Sequence, residues 1–152
     1  MTARLGRVNE VVYLVHVFEG KWNMHNPQAI YLELSSGISF TLRCGADGES
    51  LQIAHGKVAM AERDMGELGQ ERLVNATRRG GWENISGQDI DFLGVIKGQY
   101  AIEGIVFQSS QSELFVMNRG DELVIYNQAP QNILSEEGLT VSPLDGASSS
   151  PD

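Results

Sequence analysis

Residues 28–53 and 100–125 of this chain overlay without a gap and repeat one pattern of apolar residues and turns. Ala29 falls on Ala101, Ile30 on Ile102, Leu42 on Leu114, Gly48 on Gly120, Leu51 on Leu123 and Ile53 on Ile125, with Leu34 on Val106 and Glu49 on Asp121 as near-matches. Short alternating apolar runs bounded by Gly, Ser, Asp and Asn favour half-buried strands joined by tight turns, so each stretch reads as strand, turn, strand, turn, strand. A length of 152 residues gives room for one domain with a core. The expected fold is mainly β, at the margin of α+β: two similar antiparallel β-meanders, about 8–56 and 82–126, packed together and joined by a segment with one short helix. A single globular domain over 1–134 is expected, and sandwich, single sheet and barrel all remain open.

Val11 to Phe18 is apolar on both faces, Val11, Tyr13, Val15 and Val17 alternating with Val12, Leu14, His16 and Phe18. A strand of that kind belongs in the middle of a sheet, covered on both sides. Ser39, Thr41 and Arg43 are expected to face water, opposite Ile38, Phe40, Leu42 and Cys44. Asp47-Gly48 is a pair that tolerates positive φ in a tight turn. Val58, Ala61, Met65 and Leu68 recur at helical spacing, which predicts a helix over 57–68, although Gly66 weakens it and Val58 to Glu62 also suits a strand. Pro130 is expected to end the regular region. Residues 135–152, poor in bulky apolar groups and rich in Ser, read as a flexible acidic tail.

Hydrophobic residues at 41% and charged residues at 20% describe a soluble globular protein. Neither a membrane span nor a cleaved export signal is expected, and a single cysteine, Cys44, fits a reducing cytoplasm. The formal charge of −9 is concentrated late in the chain: residues 82–134 carry seven acids against two bases. Such a field repels nucleic acid and anionic lipid and attracts a cationic partner.

Trp82, Ile85, Gly87, Ile90 and Leu93, followed by Ile102, Ile105 and Phe107, form a pattern that resembles small uncharacterised bacterial β-rich domains. Size, acidity and β-meander build also make the chain similar to immunity proteins of bacterial toxin systems. The likeness covers residues 82–126 and rests on structural motifs. It implies partner neutralisation and carries no family active site.

Reactive chemistry is sparse. His16, His25 and His55 are far apart and no paired-ligand spacing occurs, so no metal or cofactor is expected. His16 reads as a core histidine. Asp89 and Asp91 supply only two ligands for a cation. Cys44 points into the core, where a thiol is inert, and nucleophile-elbow and phosphate-loop motifs are missing. Arg78 to Gly81 has the composition of an anion cradle, more often a solvated loop. Glu49 and Asp121 occupy equivalent turns, and Asn75-Ala76-Thr77 spells a glycosylation acceptor without export.

The leading expectation is therefore a non-catalytic module that binds a basic protein, in the manner of an immunity protein or antitoxin. Asp89, Asp91, Glu103, Glu113, Asp121 and Glu122 would steer the encounter, with Trp22 or Trp82 as aromatic anchor and His25 in a contacting loop. Two alternatives stand beside it: a small-ligand-binding β-domain or small enzyme, its pocket at the mouth of the meanders near His25 and Arg78, and a self-associating structural subunit. Homo-oligomerisation is compatible with all three.

Overall fold

The apolar run at the start of the chain becomes the longest strand. In the computed structural model, which describes residues 5–144, Val8–Phe18 (β1) runs through the middle of an antiparallel sheet. Glu19 and Gly20, both at positive φ, turn β1 directly into Lys21–Trp22 (β2) as a tight hairpin. Ala29–Leu34 (β3), Ser39–Cys44 (β4) and Leu51–His55 (β5) follow as the first meander, on one side of β1. Arg63–Asp64 (β6) and Gln70–Asn75 (β7) lie on its other side, giving the order β5-β4-β3-β1-β7-β6.

The second sheet consists of Phe92–Lys97 (β8), Ile102–Gln108 (β9), Glu113–Asn118 (β10) and Leu123–Tyr126 (β11), closed beyond β8 by Thr140–Pro143 (β12). The helix Gln131–Glu136 (α1) precedes β12. The protein is thus mainly β, two antiparallel sheets packed face to face. Val11, Tyr13, Val15, Leu32 and Leu42 of the first sheet share one core with Ile105, Phe107, Leu114 and Val116 of the second. Phe107 sits at its centre, stacked on Phe40 at 6.3 Å and met edge-on by Trp82 at 5.6 Å.

The two meanders share strand order, but their registers differ. Leu42 pairs with Ile30, so the ungapped overlay puts Leu114 opposite Ile102; Leu114 instead pairs with Phe107. That odd shift exchanges the faces of β9. Ile105 and Phe107 turn into the intersheet core, while Val106 turns outward to join Ile96, Phe115 and Met117 in a second cluster beneath α1. The faces of β10 and β11 keep the correspondence: Leu114, Val116 and Leu123 point inward like Leu42 and Leu51.

Residues 57–68 do not form a helix. They leave β5 at one edge of the first sheet, cross its outer face as an irregular strap and reach β6 at the opposite edge. The Thr41 hydroxyl donates to the Gly56 carbonyl at 2.7 Å and accepts the Val58 N–H at 3.0 Å, and Arg43 donates to the carbonyls of Val58 and Ala59. Lys57 lies 4.8 Å from the Tyr31 ring centroid, and Glu62 accepts the Leu73 N–H. These side-chain bonds satisfy the Gly56, Val58 and Ala59 carbonyls, which a helix would have paired internally, and the Val58 N–H, which would be unpaired in the first turn of a helix. A positive φ at Gly56, Ala59 and Gly66 also breaks helical geometry, leaving a 3-10 turn at Gly66–Leu68. The strap covers part of the outer face of the central strands: Leu14, Ala29, Tyr31 and Thr41 are buried, so Thr41 does not face water. On the same face of β1, Val12 and His16 are half-buried and Phe18 is exposed, so β1 is only partly covered on that side.

Regular structure continues past Pro130. Ile133 and Leu134 of α1, with Ala129 and Leu139, cover the outer face of the second sheet. β12 then pairs with β8, Val141 opposite Ile96. Residues 135–144, expected in a flexible tail, are held in place by these contacts, because the outward faces of β8 to β10 leave an apolar surface to be covered. The remainder of that expected tail lies outside the described residues.

Candidate functional site

Of the nine residues expected to contact a partner, the fold gathers five at one end of the sandwich. The β10–β11 hairpin turns through Gly120 and Asp121, both at positive φ, and the Asn118 side chain accepts the Asp121 N–H at 3.0 Å. The same amide donates to the Ser50 carbonyl at 2.8 Å, pinning this turn to the β4–β5 loop of the other sheet. In that loop Asp47 stays at negative φ. One of its carboxylate oxygens accepts the N–H groups of Glu49 and Ser50 and the Ser50 hydroxyl, which hold its pKa below the usual carboxylate value. Asn26, from the loop carrying His25, donates to the Leu123 carbonyl at 3.3 Å and brings exposed Trp22 and His25 to the same end.

Acids dominate this end. Asp121 and Glu122 line a hollow of about 390 Å³ with Asn23, Asn26, Arg43 and Cys44. Burial, followed by the negative charges of Glu137 and Glu49, raises the Glu103 pKa; Arg119 acts against them. Arg119 is itself held by Glu137 through two hydrogen bonds, 3.0 and 2.7 Å long. Burial and then the charges of Asp121 and Glu122 push the Cys44 thiol up to about 11. Such a thiol is mostly un-ionised near neutral pH, as the inward-pointing position of Cys44 in the sequence suggests.

The other four expected contacts lie elsewhere. Trp82 is fully buried at 0% exposure, its indole N–H donating to Tyr13, so it is a core residue and no surface anchor. The short turn Trp82–Asn84 points it inward, where only the Tyr13 phenol oxygen satisfies its N–H. Glu113 accepts the Ala129 N–H at 3.0 Å and helps seat the segment leading to α1. Asp89 pairs with Arg7 at 3.2 Å, and exposed Asp91 lies just before β8, at the end opposite Asp121.

The remaining candidates resolve similarly. His16 Nε2 lies 2.7 Å from the Leu68 carbonyl oxygen, a satisfied sheet histidine. The Gly81 N–H at the possible anion cradle already donates to the Glu83 carboxylate at 2.8 Å. Among the described residues no three His, Cys, Asp or Glu side chains converge in a way that could hold a metal ion. No described helix is long and apolar enough to cross a membrane.

A larger cavity opens away from both His25 and Arg78, where a ligand pocket was expected. It occupies about 620 Å³ between the β4–β5 side of the first sheet and the β8–β9–β12 side of the second, walled by Ile38, Phe40, Ile53, Val95, Ile102 and Leu144. Its lining comes from five separated segments, so no local motif announces it. The only signal is that Ile38, Ile53 and Ile102 sit at the ends of their apolar runs. In comparisons with protein-family models, curated proteins and solved structures, the chain matches none.

Proposed function

We propose that this protein is a non-catalytic binding module that covers a cationic protein partner with its acidic end, in the manner of an immunity protein or antitoxin. The observation that carries this reading is the gathering of Asp121, Glu122 and Glu103 with Asp47, Glu49 and Glu137 at one end, six acids opposed by Arg119 and Arg43, beside the half-exposed Trp22. Charge of one sign on a surface accelerates encounter with an oppositely charged partner and orients it, and a desolvated aromatic supplies binding energy. A free, half-buried Cys44 suits a reducing, cytoplasmic setting.

The test is affinity capture from the native host at graded salt, followed by association kinetics. A basic protein retained at low salt, whose association with the D121K/E122K variant is slower by about tenfold or more, supports the proposal. An association rate unchanged by that charge reversal at low ionic strength overturns it.

A further inference from the structure

We propose that the cleft between the sheets binds a small amphipathic anion, with a hydrocarbon or aromatic body against its apolar wall and a carboxylate or sulfonate directed to Lys97 and His55. Its volume, about 620 Å³, lies within the ~300–1,000 Å³ range of small-ligand sites. Ile38, Ile53 and Leu144 border the core but are only partly buried, so apolar surface stays open to water until something covers it. Two rim residues, Gly37 and Gly56, have positive φ, and a Cβ built on either would meet nothing within 4 Å. Turn geometry thus keeps the rim low.

Charge selects the class of ligand. The protein carries a formal charge of −9, yet the ionisable side chains lining this cleft among the described residues are His55 and Lys97, with no carboxylate. Residues 82–134 contain two bases; Arg119 is engaged by Glu137, whereas Lys97 stands exposed at the cleft with no ion pair among the described residues. An anionic headgroup there gains a charge-assisted contact. A cationic amphiphile meets the same wall and loses that contact.

The experiment titrates the full chain, with isoleucine methyls labelled, with decanoate, decan-1-ol and decyltrimethylammonium below their aggregation concentrations. Decanoate should bind saturably, shift the Ile38, Ile53 and Ile102 methyl resonances, and bind about tenfold or more tightly than the ammonium compound. K97E should weaken decanoate about tenfold or more while K97R retains it, and I53W should block all three probes by filling the cleft. Backbone amide spectra establish that each variant is folded, and K97E, at an exposed position, keeps the test available if I53W fails to fold. Failure of decanoate to saturate, equal affinity for the anionic and cationic probes, or no effect of K97E overturns the assignment. None of these outcomes bears on protein binding at the acidic end.

Discussion

The indole N–H of Trp82 donates to the phenol oxygen of Tyr13 at 2.8 Å, with both side chains essentially closed to solvent. This contact ties the segment leading into the second sheet to the middle strand of the first. Y13F leaves a buried donor without a partner and should lower stability by about 1–3 kcal/mol. Urea unfolding curves measure it, and an unchanged midpoint would show that the bond contributes nothing net.

The same burial sets a dependence on alkaline pH. Desolvation, reinforced by Glu83 and opposed by the Trp82 hydrogen bond, raises the Tyr13 pKa from 10.0 to about 12. The folded state therefore retains a proton that the unfolded state releases above pH 10. The stabilisation is complete below pH 10 and is lost as pH rises from 10 to about 12. Stability curves measured across this range should fall more steeply for the native sequence than for Y13F.

Cys44, with its pKa raised from 9.0 to about 11, should react with iodoacetamide at pH 8 roughly two orders of magnitude more slowly than an unhindered thiol. Because Asp121 and Glu122 contribute after burial, D121N/E122Q should accelerate the reaction modestly. Timed alkylation read by mass spectrometry checks both. A rate equal to that of a free thiol would mean that Cys44 is neither buried nor surrounded by negative charge.

Gly104 lies in a closely packed part of the outer face of the second sheet. A Cβ there would come within 2.8 Å of both Ile96 Cδ1 and the Val116 carbonyl oxygen, and the latter belongs to a paired strand that cannot yield. G104A should destabilise by about 1–3 kcal/mol through overpacking. Gly120 has open space around it but a positive φ, so G120A should act through backbone strain alone and serve as a contrast in the same thermal melts.

How far the chain can be read in advance depends on how locally each feature is encoded. β1 was legible because both its faces are apolar within eight residues, and the meanders because turn residues punctuate them. The strap was not: Val58, Ala61, Met65 and Leu68 mimic a helical stripe, yet Val58 and Leu68 are exposed, and what holds the segment is hydrogen bonding to Thr41, Arg43 and Leu73 from other strands. β12 is not legible locally, since Thr140–Pro143 carries little apolar pattern and owes its strand to pairing with β8. The inward turn of Trp82 depends on Tyr13, distant in sequence. At the candidate site, the acidic bias of the second half was visible in composition, whereas the joining of Asp121 to the β4–β5 loop through Asn118 and Ser50 is a tertiary event. The intersheet cleft is tertiary in the same way.

Passing the strap from β5 over the outer face to β6 makes the chain fasten the first sheet like a belt. Hairpins among β3, β4 and β5 need only short loops, but Tyr13 can meet Val74 only after the intervening chain has wrapped round the sheet. Closure of so long a loop costs more entropy than a hairpin turn, which predicts that β7 docks late in assembly. Truncating Val74 should therefore hasten unfolding while leaving the refolding rate nearly unchanged, whereas truncating Leu32 or Leu42 should slow refolding. If the buckle closes last it should also open first, and the edge of β1 beneath it is where this domain would then begin to come apart.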